Sequence, residues 1–271
     1  MPGAGVSLRD LWGVFLAVGI VLGFFVGLLT GALVFPHPSP TRTFSVPSGL
    51  PPLMNCFGGE TCSASGPSTD GSGTTCVVSG FSETAGDFLY VAINYMAGTD
   101  RIISVADGGV DSFNYVAGEF ANDQSVAFYT VSSVHGGTVT ITVTLSVVEF
   151  GTCTVGQLSA GTTVGVIGPG GTVASGESLS VTNAAVHEPA LLMALFGATR
   201  PTGTAFVTVS AGGGSGWQIA SQWTGYTYNG TAQILYGEND GASGTVIFTW
   251  QVGNTQTPSI SGIAVEFYLG V

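Results

Sequence analysis

Residues 138–150 read TVTITVTLSVVEF, and residues 244–252 read GTVIFTWQV. From Thr138 to Leu145 threonine alternates strictly with an aliphatic residue. A period of two puts successive side chains on opposite faces of a strand, so one face is hydroxylic and the other apolar. The second stretch repeats the pattern. Outward from both, the chain from Thr75 onward is a succession of short β runs broken by Gly, Asn and Asp turns. No segment there sustains an apolar period of 3.6. The expected fold is all-β: an antiparallel two-sheet sandwich or jelly roll, preceded by one N-terminal transmembrane helix.

The β region carries the same signposts twice. Its first part contains GDFLYVA (86–92), VAFY (126–129) and GTVT (137–140), and ends in Val148-Glu149-Phe150. Its second part contains EPALLMA (188–194), AQILY (232–236) and GTVI (244–247), and ends in Val265-Glu266-Phe267. About ten additional residues, around GNTQTPSISG, precede the last strand of the second part. Half-repeats of about 75–150 and 179–271 are expected to pack against each other in one domain spanning 75–271, with internal duplication.

The N-terminal part is of a different kind. A short segment, 1–10, precedes 25 uncharged residues, Leu11 to Phe35. As a helix rising 1.5 Å per residue, that run reaches roughly 37 Å, enough to cross a hydrocarbon core of about 30 Å. It is longer than the hydrophobic region of a signal peptide and lacks an A-x-A-like cleavage site, so a retained anchor is preferred to a cleaved signal. Gly19, Gly23, Gly27 and Gly31 fall in strict register and form a smooth ridge on which two helices can approach closely. Homo-oligomerisation through this helix is expected. The alternative is a pilin-like filament subunit with the helix in the filament core, although the processing site of that class is missing.

Residues 36–74 are rich in Pro, Ser and Gly and read as a spacer that lifts the domain from the membrane. Cys56, Cys62, Cys76 and Cys153 all lie beyond the anchor, and none forms a C-x-x-C pair. Two disulfides in an oxidising exterior follow, with Cys56–Cys62 and Cys76–Cys153 the preferred pairing among three. The sequon at Asn229 fits an external location.

Composition excludes whole classes of function. The chain has 16 carboxylates against four arginines, contains no lysine, and carries a net charge of -12. Nucleic acid is therefore not an expected partner, because phosphate neutralisation needs clustered basic groups. Without lysine there is neither a Walker A loop nor Schiff-base chemistry. No G-x-S-x-G elbow is present. Glu149 and Glu266 form a carboxylate pair of the kind used in glycoside hydrolysis, yet their apparent equivalence in the two halves explains them as architecture. No catalytic residue, cofactor or metal motif is assigned. Calcium held by scattered Asp and backbone oxygens near Asp107, Asp111 or Asp240 is compatible with the sequence but is not supported by a motif. One segment suits a ligand: Trp223, Tyr226 and Tyr228, interleaved with amides and hydroxyls, match the faces of sugars.

Ala85-Gly86-Asp87-Phe88-Leu89-Tyr90-Val91-Ala92 and the two Val-Glu-Phe endings resemble the hallmarks of a duplicated jelly-roll or β-sandwich domain. That domain recurs in uncharacterised secreted and cell-surface proteins of microbes and viruses. The resemblance covers about residues 75–271 and implies a fold and a surface location without a defined activity. The resulting expectation is a membrane-anchored surface structural or adhesion protein that is not an enzyme. Its external domain would meet surface glycans or other surface proteins, on a cell or on a virion exterior. A carbohydrate-binding or carbohydrate-active domain is the other alternative.

Overall fold

The computed structural model describes residues 53–58, 72–121, 123–174, 178–185, 187, 190–199, 205–210, 218–223, 231–239, 244–252 and 259–270. These residues are all-β, with antiparallel sheets and no helix. The Leu11–Phe35 segment and its glycine ridge lie outside them.

The first nine strands are β1 (Leu53–Cys56), β2 (Ser72–Glu83), β3 (Phe88–Tyr95), β4 (Ile102–Ala106), β5 (Asn114–Ala121), β6 (Gln124–Val131), β7 (Gly137–Leu158), β8 (Thr162–Ile167) and β9 (Gly171–Val173). They are followed by β10 (Ser178–Ala185), β11 (Ala190–Ala198), β12 (Ala205–Ser210), β13 (Gln218–Trp223), β14 (Thr231–Asn239), β15 (Gly244–Val252) and β16 (Ile260–Leu269).

The alternating stretch quoted above lies in β7, which serves two sheets. Its first half pairs with β2 on one side and β4 on the other, while its second half pairs with β1 and β3. The resulting sheets are β2-β7-β4 and β1-β7-β3-β6-β5. In the C-terminal half the corresponding sheets are β10-β15-β12 and β8-β16-β11-β14-β13, with β9 also on β16. The strand order is the same in both halves. The one long strand of the first half is two strands in the second, β15 and β16, separated by the additional residues seen in the sequence.

Burial explains why some strands alternate and others do not. In β7, Ile141, Val143 and Leu145 are buried while the threonines face outward to varying degrees, as a half-buried strand requires. Every residue of β3 and of β11 is buried. Leu89, Val91, Ile93 and Tyr95 enter a core shared with β2 and β7, alongside Phe57, Val78 and Phe81. Phe88, Tyr90 and Ala92 point the opposite way, into a second core with Leu191, Met193, Leu195, Ile263, Val265 and Phe267. The sheets containing β3 and β11 therefore pack face to face. The β11 residues on the far side, such as Phe196, approach Leu179 of β10. Four layers result where two were expected, because each half is itself a pair of sheets.

The second core joins the halves. Phe267 sits in its middle, with ring centroids 5.6 Å from Phe88, 6.4 Å from Tyr90 and 6.5 Å from Phe128. The contacts are reciprocal: β6 lies against β11 and β16, while β14 lies against β3 and β7. Reciprocity of this kind is what a two-fold relation between like surfaces produces. Further along, the interface turns polar at Asn94, Gln124 and Ser261, where the Ser261 hydroxyl donates to the Gln124 carbonyl at 2.8 Å.

Composition assigned Leu53–Cys56 and Ser72–Thr74 to the spacer, but these residues belong to β1 and β2. Leu53–Cys56 pairs with Thr152–Val155 along the edge of the five-stranded sheet. The Pro and Ser content around these short pieces hid the pairing. Cys76 and Cys153 form a disulfide inside the first core, tying β2 to β7. Cys56 is also disulfide-bonded; Cys62, its expected partner, lies outside the described residues.

Candidate functional site

Glu149 and Glu266 do not share a site, and they are not at equivalent positions. Glu149 lies opposite Gly73 of β2, where β7 passes from one sheet to the other. Glu266 lies opposite Leu192 of β11, fully buried in a central sheet. The packing register identifies the true counterpart. Phe88 and Leu191 each begin the series that faces the other half, and their partners are Leu158 and Phe267. One residue earlier on those partner strands stand Gln157 and Glu266.

Their hydrogen bonds agree. Gln157 Oε1 accepts the Thr84 N–H at 3.2 Å, and Glu266 Oε1 accepts the His187 N–H at 3.0 Å. Thr84 precedes Phe88 by the same four positions that separate His187 from Leu191. Glu266 Oε2 accepts from Val166 N–H at 2.9 Å and meets the His187 ring Nδ1 at 3.0 Å. His187 is held in turn by stacking on Tyr268, with centroids 3.7 Å apart. In the first half Gln157 Nε2 donates to Asp87 at 2.6 Å, and Asp87 accepts the Ala160 N–H at 3.1 Å. The Gly-Asp of the opening strand and the Glu of the closing strand thus brace the ends of β3 and β11. Their role is positional.

A different group of carboxylates is not accounted for in this way. Glu83 is the last residue of β2, Asp107 follows β4, and Asp111 lies in the loop from β4 to β5. One oxygen from each lies within 4.8 Å of those of the other two. Glu83 is 6% exposed, Asp107 is 5% exposed, and the Asp111 side chain is 3% exposed. Two segments distant in sequence meet here because β2 and β4, which flank β7, finish at the same end of one small sheet.

The local sequence builds the turn that holds the two aspartates. Gly108 and Gly109 adopt φ of 88° and 94°, a left-handed backbone that favours glycine. The chain folds back so that Asp107 Oδ1 accepts the N–H of Val110 at 3.1 Å and of Asp111 at 3.0 Å. On the far side Gly136 also has positive φ, and a Cβ there would stand 2.7 Å from the Ala85 nitrogen. That close approach brings His135 over Asp111. The His135 N–H donates to Asp111 Oδ2 at 3.3 Å, and its ring Nδ1 contacts Oδ1.

Glu83 has no such support. Neither of its carboxylate oxygens has a hydrogen-bond partner among the described residues. Burial, and after it the charges of Asp111 and Asp107, pushes its carboxyl up to about 7, while His135 acts in the opposite direction. A buried, unpartnered carboxyl beside two others is an expensive arrangement in a chain with no lysine.

The sequence singled out Asp107 and Asp111 but not Glu83. Its only signal was global, the excess of acidic over basic residues, which leaves some carboxylates without a protein cation. Asp240 lies outside the described residues. So do Tyr226, Tyr228 and Asn229; Trp223 closes β13 opposite Ala232 of β14. Comparison with protein-family models, curated proteins and solved structures finds no match.

Proposed function

We propose that the chain is a membrane-anchored surface protein, structural or adhesive in role, that presents a duplicated jelly-roll-type β module outside the membrane and performs no catalysis. The observation that carries this reading is the Cys76–Cys153 disulfide in the first core, together with the absence of any free cysteine among the described residues. Such bonds persist in oxidising surroundings, which supports a location for the module on the external side of the anchor. The matching strand order of the two halves supports duplication. The structural commitment of Asp87 and Glu266 supports a scaffold rather than a hydrolase. The apolar Leu11–Phe35 segment and its glycine ridge supply the tether and self-association.

The test is to express the full chain, treat intact cells or particles with protease, and count maleimide-reactive thiols before and after reduction. The expected result is external cleavage and no reactive thiol until reduction. A protected domain with free thiols would overturn the proposal. Sedimentation after detergent extraction then separates the anchored oligomer, which yields small particles, from a filament subunit, which yields polymers.

A further inference from the structure

We infer that Glu83, Asp107 and Asp111 form a binding site for a divalent cation of the calcium type, which ties the end of β2 to the loop from β4 to β5 at one end of the first sandwich. The argument is independent of the anchor and of the surface role proposed above. It begins with the Glu83 carboxylate, which is more than nine-tenths buried, has no hydrogen-bond partner on either oxygen among the described residues and lies beside two further carboxylates. Nothing in the surrounding fold explains that placement. Glu266, equally buried, shows what a structural glutamate looks like here, since backbone N–H groups and a histidine satisfy it.

The donor set selects the ion. Oxygens bound about 2.4 Å from a common ion are at most about 4.8 Å apart, and these three lie within 4.8 Å of one another. All three ligands are carboxylates, so a hard cation is favoured over zinc, which prefers imidazole and thiolate. Calcium is favoured over magnesium because two ligands sit on a glycine-rich turn, and calcium tolerates irregular geometry where magnesium demands a near-ideal octahedron. Asp107 Oδ1 already accepts two N–H bonds, but Asp107 Oδ2 and the Asp111 oxygens each have one such contact and keep a second lone-pair site for a metal. His135 contacts Asp111 on the outer side and is 68% exposed, so it orients that ligand rather than supplying one.

The charge balance points the same way. Three carboxylates meet, and among the described residues the basic side chain paired with them is a single exposed histidine. With four arginines and no lysine in the whole chain, neutralisation by protein is scarce, and a cation from solution supplies it.

The test uses the full chain in detergent, stripped with a chelator and then titrated with calcium chloride and, separately, magnesium chloride by calorimetry. One calcium per chain is expected, with a Kd of about 10⁻⁴–10⁻³ M, as in extracellular modules. Magnesium should bind more weakly. Glu83→Gln keeps the shape and removes the charge, and should weaken calcium binding by more than about 100-fold, beyond what loss of an outer-shell partner costs. In chelator the same variant should melt at or above the wild-type temperature, which separates loss of a ligand from loss of the fold. The proposal is overturned if the wild type takes up no calcium at millimolar concentration. It is equally overturned if Glu83→Gln binds calcium as well as the wild type, or melts below it in chelator.

Discussion

In the second half of the β module a glutamate, Glu266, lies at the heart of a sheet; two backbone N–H groups and a histidine converge on it. At the matching position of the first half stands Gln157, which makes the equivalent bond to the backbone without a charge. The first half has its buried glutamate elsewhere, at Glu83, which no group among the described residues satisfies. The strand order is shared, yet the two buried glutamates serve different ends. A carboxylate ringed by N–H donors belongs to the fold, and one facing other carboxylates calls for something from solution. The second half has no counterpart to the acidic turn, since no Asp or Glu occurs from Ala205 to Trp223, the segment corresponding to β4 and β5.

The comparison assumes that the halves form one cooperative body, and the largest predicted effect tests this. Phe267→Ala removes the ring at the centre of the shared core and should cost about 3–5 kcal/mol. Thermal unfolding followed by both calorimetry and circular dichroism should keep a single, lowered transition. Separation into two transitions would mean that the halves are independent.

Next in size is the exchange between the matched positions. Glu266→Ala leaves the Val166 and His187 N–H groups without their acceptor and should cost about 3 kcal/mol. Glu266→Gln copies the first half and should lose only about 1 kcal/mol. Equal losses, measured by urea unfolding, would break the equivalence drawn between Gln157 and Glu266.

A smaller effect with the opposite sign is expected at Glu83. In chelator at neutral pH, Glu83→Gln should stabilise the protein by about 1 kcal/mol, read as a rise of a few degrees in melting temperature. A gain for Glu83→Gln beside a loss for Glu266→Gln would sharpen the contrast.

The smallest effect appears only in alkali, again in the first half. Burial, followed by the charge of Asp100 and the neighbouring Tyr115, pushes the Tyr129 hydroxyl up to about 12, and burial also raises that of Tyr95. A raised folded-state value means that these groups contribute stability below pH 10 and lose it as the pH climbs toward 12. Melting temperature against pH should therefore fall in that window, alongside tyrosinate absorbance. Flat stability to pH 12 would contradict this.

The legible parts of the fold were those written in local pattern. The Thr/aliphatic alternation of residues 138–145 identified a strand with one wet face, and the repeated signposts anticipated two sets of strands in the same order. The cysteine spacing was enough to prefer Cys76–Cys153. Three features were not legible. The layer number was hidden because the continuous apolar runs of β3 and β11 do not say what covers their second face. β1 was hidden because four residues among prolines carry almost no pattern. The equivalence of Glu149 and Glu266 was misread because a short Val-Glu-Phe match takes no account of register.

The amino-acid sequence alone determined the all-β character and the shortage of basic groups, since each is a property of composition or of near neighbours along the chain. Only the tertiary structure decided which carboxylates meet. Glu83 and Asp111 are separated by β3 and β4, and their oxygens come together because strands that finish at one end of a sheet deliver their loops to the same place. The energetic meaning of a buried charge depends on that meeting, so Glu266 reads as part of the frame and Glu83 as a ligand.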